Sequence, residues 1–217
     1  LVGAFHQPRL VLADVQTLET LPQRELTSGW AEAIKHGLIL DEGLLREFEE
    51  QRDAVMSLDW EITTNLIRRS VAVKADVVTR DERETLGVRI LLNYGHTIGH
   101  AIEAATGYGK YLHGEAVSIG MMGAANISET LGMLSREEVE RQRSILEAYD
   151  LPVYGEGMNA KAVREAMKVD KKTVSGSILW VLLERIGRAV ARSDVPTESV
   201  DRTLKTLLGR TAEGPRE

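Results

Sequence analysis

LLNYGHTIGHAIEAATG (residues 91–107) and, shortly after it, HGEAVSIGMMGAANISETLG (113–132) decide the fold. In both, apolar residues recur at helical spacing among many small ones, the pattern of helices that approach each other closely. Gly120, Gly123 and Ala124 would admit another helix backbone, and the apolar stretch 116–128 reads as buried. Working outward, Pro22 suits the first turn of a helix running through TLETLPQRELTSGWAEAIKHGLIL (17–40). Residues 41–57 read as a charged amphipathic helix. Asp59 is an N-cap for a long helix with Ile62, Leu66, Ser70, Val73 and Val77 along one stripe. RDERETLG (80–87) is a polar loop, Ser135 with Glu138 forms a capping box, and Asn159 caps a helix to about Val169. Two β-rich runs on either side of Ile186 and Gly187 make a hairpin, and Thr197 starts a last helix. RLVLA (9–13) reads as a strand, although nothing nearby offers it a sheet. The expected fold is mainly α, with one short β-hairpin and an orphan N-terminal strand.

Composition narrows the chemistry. No cysteine occurs in the 217 residues, so disulfides, thiolate metal sites and a cysteine nucleophile are excluded. Any metal must be held by nitrogen and oxygen, and five histidines are available. A net charge of −6 argues against nucleic acid as a partner. No uncharged stretch is long enough for a membrane span and no secretory signal is read, so a cytoplasmic protein is expected.

Three of the histidines, His96, His100 and His113, fall in one short window, with Glu103 and Glu115 nearby. His96 and His100 share a helix face, and imidazole with carboxylate suits a catalytic Zn²⁺. A lone histidine pair at this spacing is more often a helix-surface or core feature; the third histidine and flanking glycines strengthen the metal reading. In GWAEAIKHG (29–37), Glu32 and Lys35 share a face on a helix whose neighbours look buried. Exposed pairs of this kind contribute little. A buried carboxylate, by contrast, is costly without a partner, and a metal would remove that cost. Lys74, Arg89 and the pair Lys171 and Lys172 are cations in apolar settings; with Asn93 they could bind a polyanion. GEGMNA (155–160) matches a dinucleotide-loop pattern but lacks the strand–helix context that would give it meaning.

Taken together, GxAExxK (29–35), LNxGHTxGHAIE (92–103), HGEAV (113–117) and DKKTVSGSILWVLLERIG (170–187) resemble 3-dehydroquinate synthase, and the likeness runs over residues 3–208. The resemblance implies a helical metal-binding C-terminal domain, with Glu32, His96 and His113 as zinc ligands. It implies that Lys35, Lys74, Arg89, Asn93 and Lys171 line the substrate site and that His100 handles substrate or protons. Thr17, Leu18, Glu19, Thr20 and Leu21 match a stretch that touches the adenosine end of NAD. The implied cofactors are NAD and Zn²⁺, with Co²⁺ as an alternative metal. The implied partners are a small anionic sugar phosphate and a second copy of the chain, with neither nucleic acid nor membrane.

The family also has an N-terminal Rossmann-like NAD-binding domain, which these residues do not contain. Residues 1–20 are therefore expected to be its remnant, 21–209 the helical domain and 210–217 a disordered tail, and the chain alone is expected to be inactive. Two other readings compete. One is a sugar-phosphate cyclase of the 2-deoxy-scyllo-inosose or 2-epi-5-epi-valiolone synthase type. The other is a non-catalytic helical module that pairs with a separate chain.

Overall fold

A computed structural model describes residues 8–169, 173–174 and 177–209. Helix α1 (Gln23–Leu40) starts directly after Pro22 and runs through the core, burying Trp30, Ala31, Ile34, Leu38 and Ile39. Asp41 ends it and caps α2 (Glu42–Glu50) by accepting from Leu44 N at 3.0 Å. The helix expected over 41–57 is two helices. The backbone leaves helical geometry at Gln51 (φ −107°, ψ 18°) before α3 (Arg52–Met56) begins. Asp59 caps α4 (Trp60–Arg80) through Ile62 N at 3.1 Å, and Thr63, Leu66, Ser70 and Val77 form its buried stripe. Val73 is half-buried.

The segment expected to be one helix over 91–107 is also broken. A 3-10 turn (Arg89–Asn93) ends at Tyr94, Gly95 takes a left-handed conformation (φ 80°), and α5 (His96–Ala105) starts anew. Packing explains the break. The Tyr94 ring is fully buried, its hydroxyl donating to Gln142 Oε1 at 2.8 Å. The Gly95 carbonyl presses on Gly120 in α6 (His113–Thr130), so closely that a Cβ at Gly120 would overlap it. At its start α6 touches α1: a Cβ at Gly114 would overlap the Ser28 carbonyl, and Gly114 N donates to Ser28 Oγ at 3.0 Å. The small residues of 113–132 thus let α6 lie against α1 and α5 at backbone distance.

Ser135 and Glu138 form the expected capping box of α7 (Arg136–Ala148), and Asn159 accepts from Lys161 N and Ala162 N at the start of α8 (Ala160–Val169). Two antiparallel pairs follow. β1 (Thr173–Val174) meets β2 (Ser177–Ile178), a pairing the sequence reading missed. β3 (Trp180–Arg185) meets β4 (Arg188–Arg192) with Leu182 opposite Val190, turning at Gly187 (φ 81°) as expected. Gly187 N donates to Leu38 O at 2.8 Å, which ties this hairpin to α1. Helix α9 (Thr197–Leu208) closes the fold against α6.

Residues 9–13 correct the sequence reading, because they form no strand. A strand needs a neighbour for its ladder, and none lies beside this segment among the described residues. Leu10 and Leu12 are 80% and 87% exposed. After them Asp14 caps a 3-10 turn (Val15–Thr20) by accepting from Gln16 N. No described helix is long and apolar enough to cross a membrane.

Candidate functional site

Three helices in backbone contact each present one donor to a common point. Glu32 comes from the middle of α1, while His96 and His113 are the first residues of α5 and α6. Glu32 Oε1 lies 3.5 Å from His96 Nε2 and 3.7 Å from His113 Nε2, and the three donor atoms lie within 4.8 Å of one another. His96 Nδ1 sits 3.1 Å from the Tyr94 carbonyl, which can only accept, so the proton is on Nδ1 and the Nε2 lone pair faces Glu32. Glu32 Oε2 accepts from Lys35 Nζ at 2.7 Å, whereas buried Oε1 has no hydrogen-bond partner. An orphaned carboxylate oxygen beside two imidazoles is costly to bury, and a divalent cation removes that cost. One carboxylate and two imidazoles suit Zn²⁺ with a position left open, and the same donors admit Co²⁺.

The electrostatics agree with that use. Burial alone would raise the Glu32 pKa, but His113, Lys35 and His96 together hold it well below the usual carboxylate range. Burial and the charge of Lys35 lower His96 to about 4, so it is neutral and ready to ligate at neutral pH. His113, more exposed, is raised by Glu32 first and, against the opposing effect of burial, by Glu103.

Beside this centre a cleft of about 210 Å³ is lined by Lys35, Lys74, Arg89 and Asn93 together with Glu32 and His96. Lys35 is buried, and burial pulls its pKa down against the pull of Glu32. Behind it His36 bonds Ser70 Oγ through Nδ1 at 2.8 Å, linking α1 to α4, and burial lowers its pKa to about 4. Arg89 is steadied by Glu84 Oε1 at 3.2 Å and by the Glu82 carbonyl at 3.1 Å.

Sequence reasoning missed the residue that shapes this wall. Asp81 is only 2% exposed and gathers four backbone N–H groups of the loop that follows it. Thr85 and Leu86 donate to Oδ1 at 2.8 and 3.0 Å, and Val88 and Arg89 to Oδ2 at 2.9 and 3.1 Å. These bonds, that from Leu86 foremost, hold its carboxyl down at about 2. The only signal in the sequence is an Asp at a helix end followed by a loop glycine, a turn-forming pattern.

Along a neighbouring stretch of α1 and α4 an apolar groove of about 220 Å³ is lined by Leu18, Leu21, Leu26, Trp30 and Ile67, and Glu32 reaches it too. The segment expected to meet the cofactor stands at its lip. The Thr17 and Thr20 hydroxyls donate to carbonyls within the turn, at Asp14 and Thr17, and Glu19 is exposed. His100 lies outside the Glu32 triad but beside it, its ring 5.3 Å from that of His96 and 6.0 Å from that of His113. With Glu103, Tyr108 and His113 it borders a third cavity of about 690 Å³. Of the two nearby glutamates, Glu103 faces the His113 ring, while Glu115 pairs with Arg24 at 2.6 Å and caps α6 through Leu112 N. Lys171 and Lys172 lie outside the described residues.

Residues 29–173 match the family described as 3-dehydroquinate synthase C-terminal. Similar curated proteins include the 3-dehydroquinate synthase of Acidithiobacillus ferrooxidans, 46% identical over 96% of this chain and 57% of that protein. That of Pseudomonas aeruginosa is 48% identical over 95% of this chain and 56% of its own length. Among solved structures, a 2-epi-5-epi-valiolone synthase from Streptomyces hygroscopicus with NAD⁺ and Zn²⁺ bound superposes with a TM-score of 0.85 at 27% identity, covering 95% of this chain and 57% of that one. A 2-deoxy-scyllo-inosose synthase complexed with carbaglucose-6-phosphate, NAD⁺ and Co²⁺ gives 0.76 at 25% identity, covering 96% and 59%. The chain spans a little over half the length of the curated relatives it matches.

Proposed function

From the premise that this chain belongs to the 3-dehydroquinate synthase C-terminal family, we propose that it is the metal- and substrate-binding half of a 3-dehydroquinate synthase. The reaction converts 3-deoxy-D-arabino-heptulosonate 7-phosphate to 3-dehydroquinate and phosphate, a step of the shikimate pathway. It proceeds by oxidation, phosphate elimination, reduction and intramolecular aldol closure. Held by Glu32, His96 and His113, Zn²⁺ would supply Lewis acidity, and NAD would supply a hydride acceptor that is regenerated in each cycle.

The observation that carries this reading is the single cleft in which Lys35, Lys74, Arg89 and Asn93 converge beside Glu32 and His96. A substrate bearing both a carboxylate and a phosphate needs several cations at once. The planar guanidinium of Arg89 can grip either group through paired N–H donors, while Lys74 adds a point charge. Asn93 can both donate to and accept from a substrate hydroxyl. Lys35 holds Glu32 Oε2 and so keeps Oε1 turned to the two imidazoles. His100, beside the pair, would handle a proton, and Lys171 would add a further cation. Holding a flexible intermediate in one conformation lets proximity drive the final closure. The groove lipped by Thr17, Leu18, Glu19, Thr20 and Leu21 would receive the adenosine end of NAD. A cytoplasmic homodimer completes the proposal.

Phosphate release with NAD and Zn²⁺ supplied tests it. The chain alone is expected to release none. Joined to the N-terminal part of the Acidithiobacillus ferrooxidans relative, it is expected to turn over the carboxylated substrate. Release only from a sugar phosphate lacking the carboxylate would move the assignment to the sugar-phosphate cyclases.

A further inference from the structure

The two histidines of the metal centre are held in different ways. The His96 side chain is 14% exposed and is oriented by a backbone carbonyl two residues earlier in the chain. The His113 side chain is 46% exposed, and its Nδ1 faces the carboxylate of Glu103, 3.3 Å from Oε1 and 3.4 Å from Oε2. Glu103 itself is largely sheltered, its side chain 16% exposed. It stands two turns after His96 on α5, so one helix carries both a donor and the group that faces the other donor. An exposed imidazole at a helix start can rotate, and a flip about Cβ–Cγ puts carbon atoms where Nδ1 and Nε2 stood. Without a partner on the far nitrogen, nothing commits Nε2 to Glu32.

We propose that Glu103 is a positioning residue for the metal centre: its carboxylate keeps the proton on His113 Nδ1 and thereby aims the Nε2 lone pair at the point shared with Glu32 and His96. This rests on the metal-site reading given above. Glu103 has a competing use, because His100, Glu103 and His113 also place one donor each within 4.8 Å. A second ion there would take the Nδ1 lone pair while the first takes Nε2. A neutral imidazole has only one such lone pair, so both uses together would strip the ring of both protons. Donation from Nδ1–H to Glu103 needs no such loss and leaves Nε2 free. Carboxylates that orient metal-bound imidazoles in this way typically contribute about 10–100-fold in affinity.

Zn²⁺ affinity measured by chelator competition, with stoichiometry from elemental analysis, tests the proposal on the chain as it stands. Glu103→Ala should weaken binding about 10–100-fold at an unchanged stoichiometry of one ion. Glu103→Gln should recover most of the loss, since its amide oxygen accepts the same N–H. In the metal-free wild type at about pH 9, where a free imidazole is neutral, ¹⁵N NMR should show His113 as the Nδ1–H tautomer, and in Glu103→Ala as a mixture. The wild-type spectrum stands even if a variant fails to fold. Unchanged affinity in Glu103→Ala would overturn the proposal, as would an Nε2–H tautomer in the wild type. Two ions per chain, one of them lost with Glu103→Ala, would make Glu103 a ligand and overturn it equally. Retention of metal by His113→Ala would instead refute the underlying metal site, a separate outcome.

Discussion

The two walls of the cleft are built on different principles. The metal wall stands on α1, α5 and α6, whose backbones touch through Gly95, Gly114 and Gly120, so its donors inherit the stiffness of the core. The cation wall hangs on a loop and on long side chains. Lys74 is exposed, and Arg89 is carried by the segment 81–89, whose backbone converges on the single carboxylate of Asp81. One wall is secured by steric fit, the other by a few polar bonds, and the two should fail differently.

The largest effect is expected from Gly120→Ala, which forces a Cβ into the Gly95 carbonyl and pushes α6 away from α5. Overpacking against backbone should cost about 3 kcal/mol in urea unfolding and take Zn²⁺ binding with it. A variant that kept its stability would show that the helices can part freely, contrary to the comparison.

Acid should act next, through the seam between the walls. His36 is held neutral, at about 4 in the folded chain against an ordinary value of about 6.5. The unfolded chain therefore binds the extra proton between those values. Stability is complete above about pH 6.5 and falls as the pH drops toward 4, by up to about 3 kcal/mol for this group. His96 titrates in the same window in the metal-free chain, so His36→Asn should flatten the pH dependence of urea unfolding only in part. An unaltered slope in that variant would remove His36 from the account.

Asp81→Asn should leave the metal wall alone and loosen the other. An amide presents a donor where two N–H groups point, so hydrogen exchange at Thr85, Leu86, Val88 and Arg89 should quicken at least about tenfold. Zn²⁺ affinity should not change. Smallest of all, Lys74→Met should shift stability by less than about 0.5 kcal/mol, as expected for an exposed side chain, while weakening retention of inorganic phosphate. A large loss of stability there would mean that the cation wall is part of the core after all.

Much of the metal wall was legible in the sequence because local chemistry and tertiary packing agree there. The dense small residues of 113–132 announced close helix contact, and Asp59, Ser135 and Asn159 announced helix starts that the structure contains. Spacing alone could not separate the histidines. It is the Tyr94 carbonyl that orients His96, and that carbonyl depends on a backbone break that periodicity hides. Glu103 and Glu115 looked equivalent as nearby carboxylates, yet one faces an imidazole and the other closes a helix cap against Arg24. Asp81 was invisible for a simpler reason. Within RDERETLG its charge looks like any solvated one, and only the three-dimensional loop buries it. Residues 9–13 have the composition of a strand, but pairing is a property of two segments; the sequence already offered this one no partner, and among the described residues it has none.

Glu32 lines both the apolar groove and the cationic cleft, so the two sites share one side chain. Any ligand that shifts Glu32 from one side alters what a ligand on the other side meets. Two such ligands are thermodynamically linked: whatever factor the first imposes on the affinity of the second, the second imposes on the first.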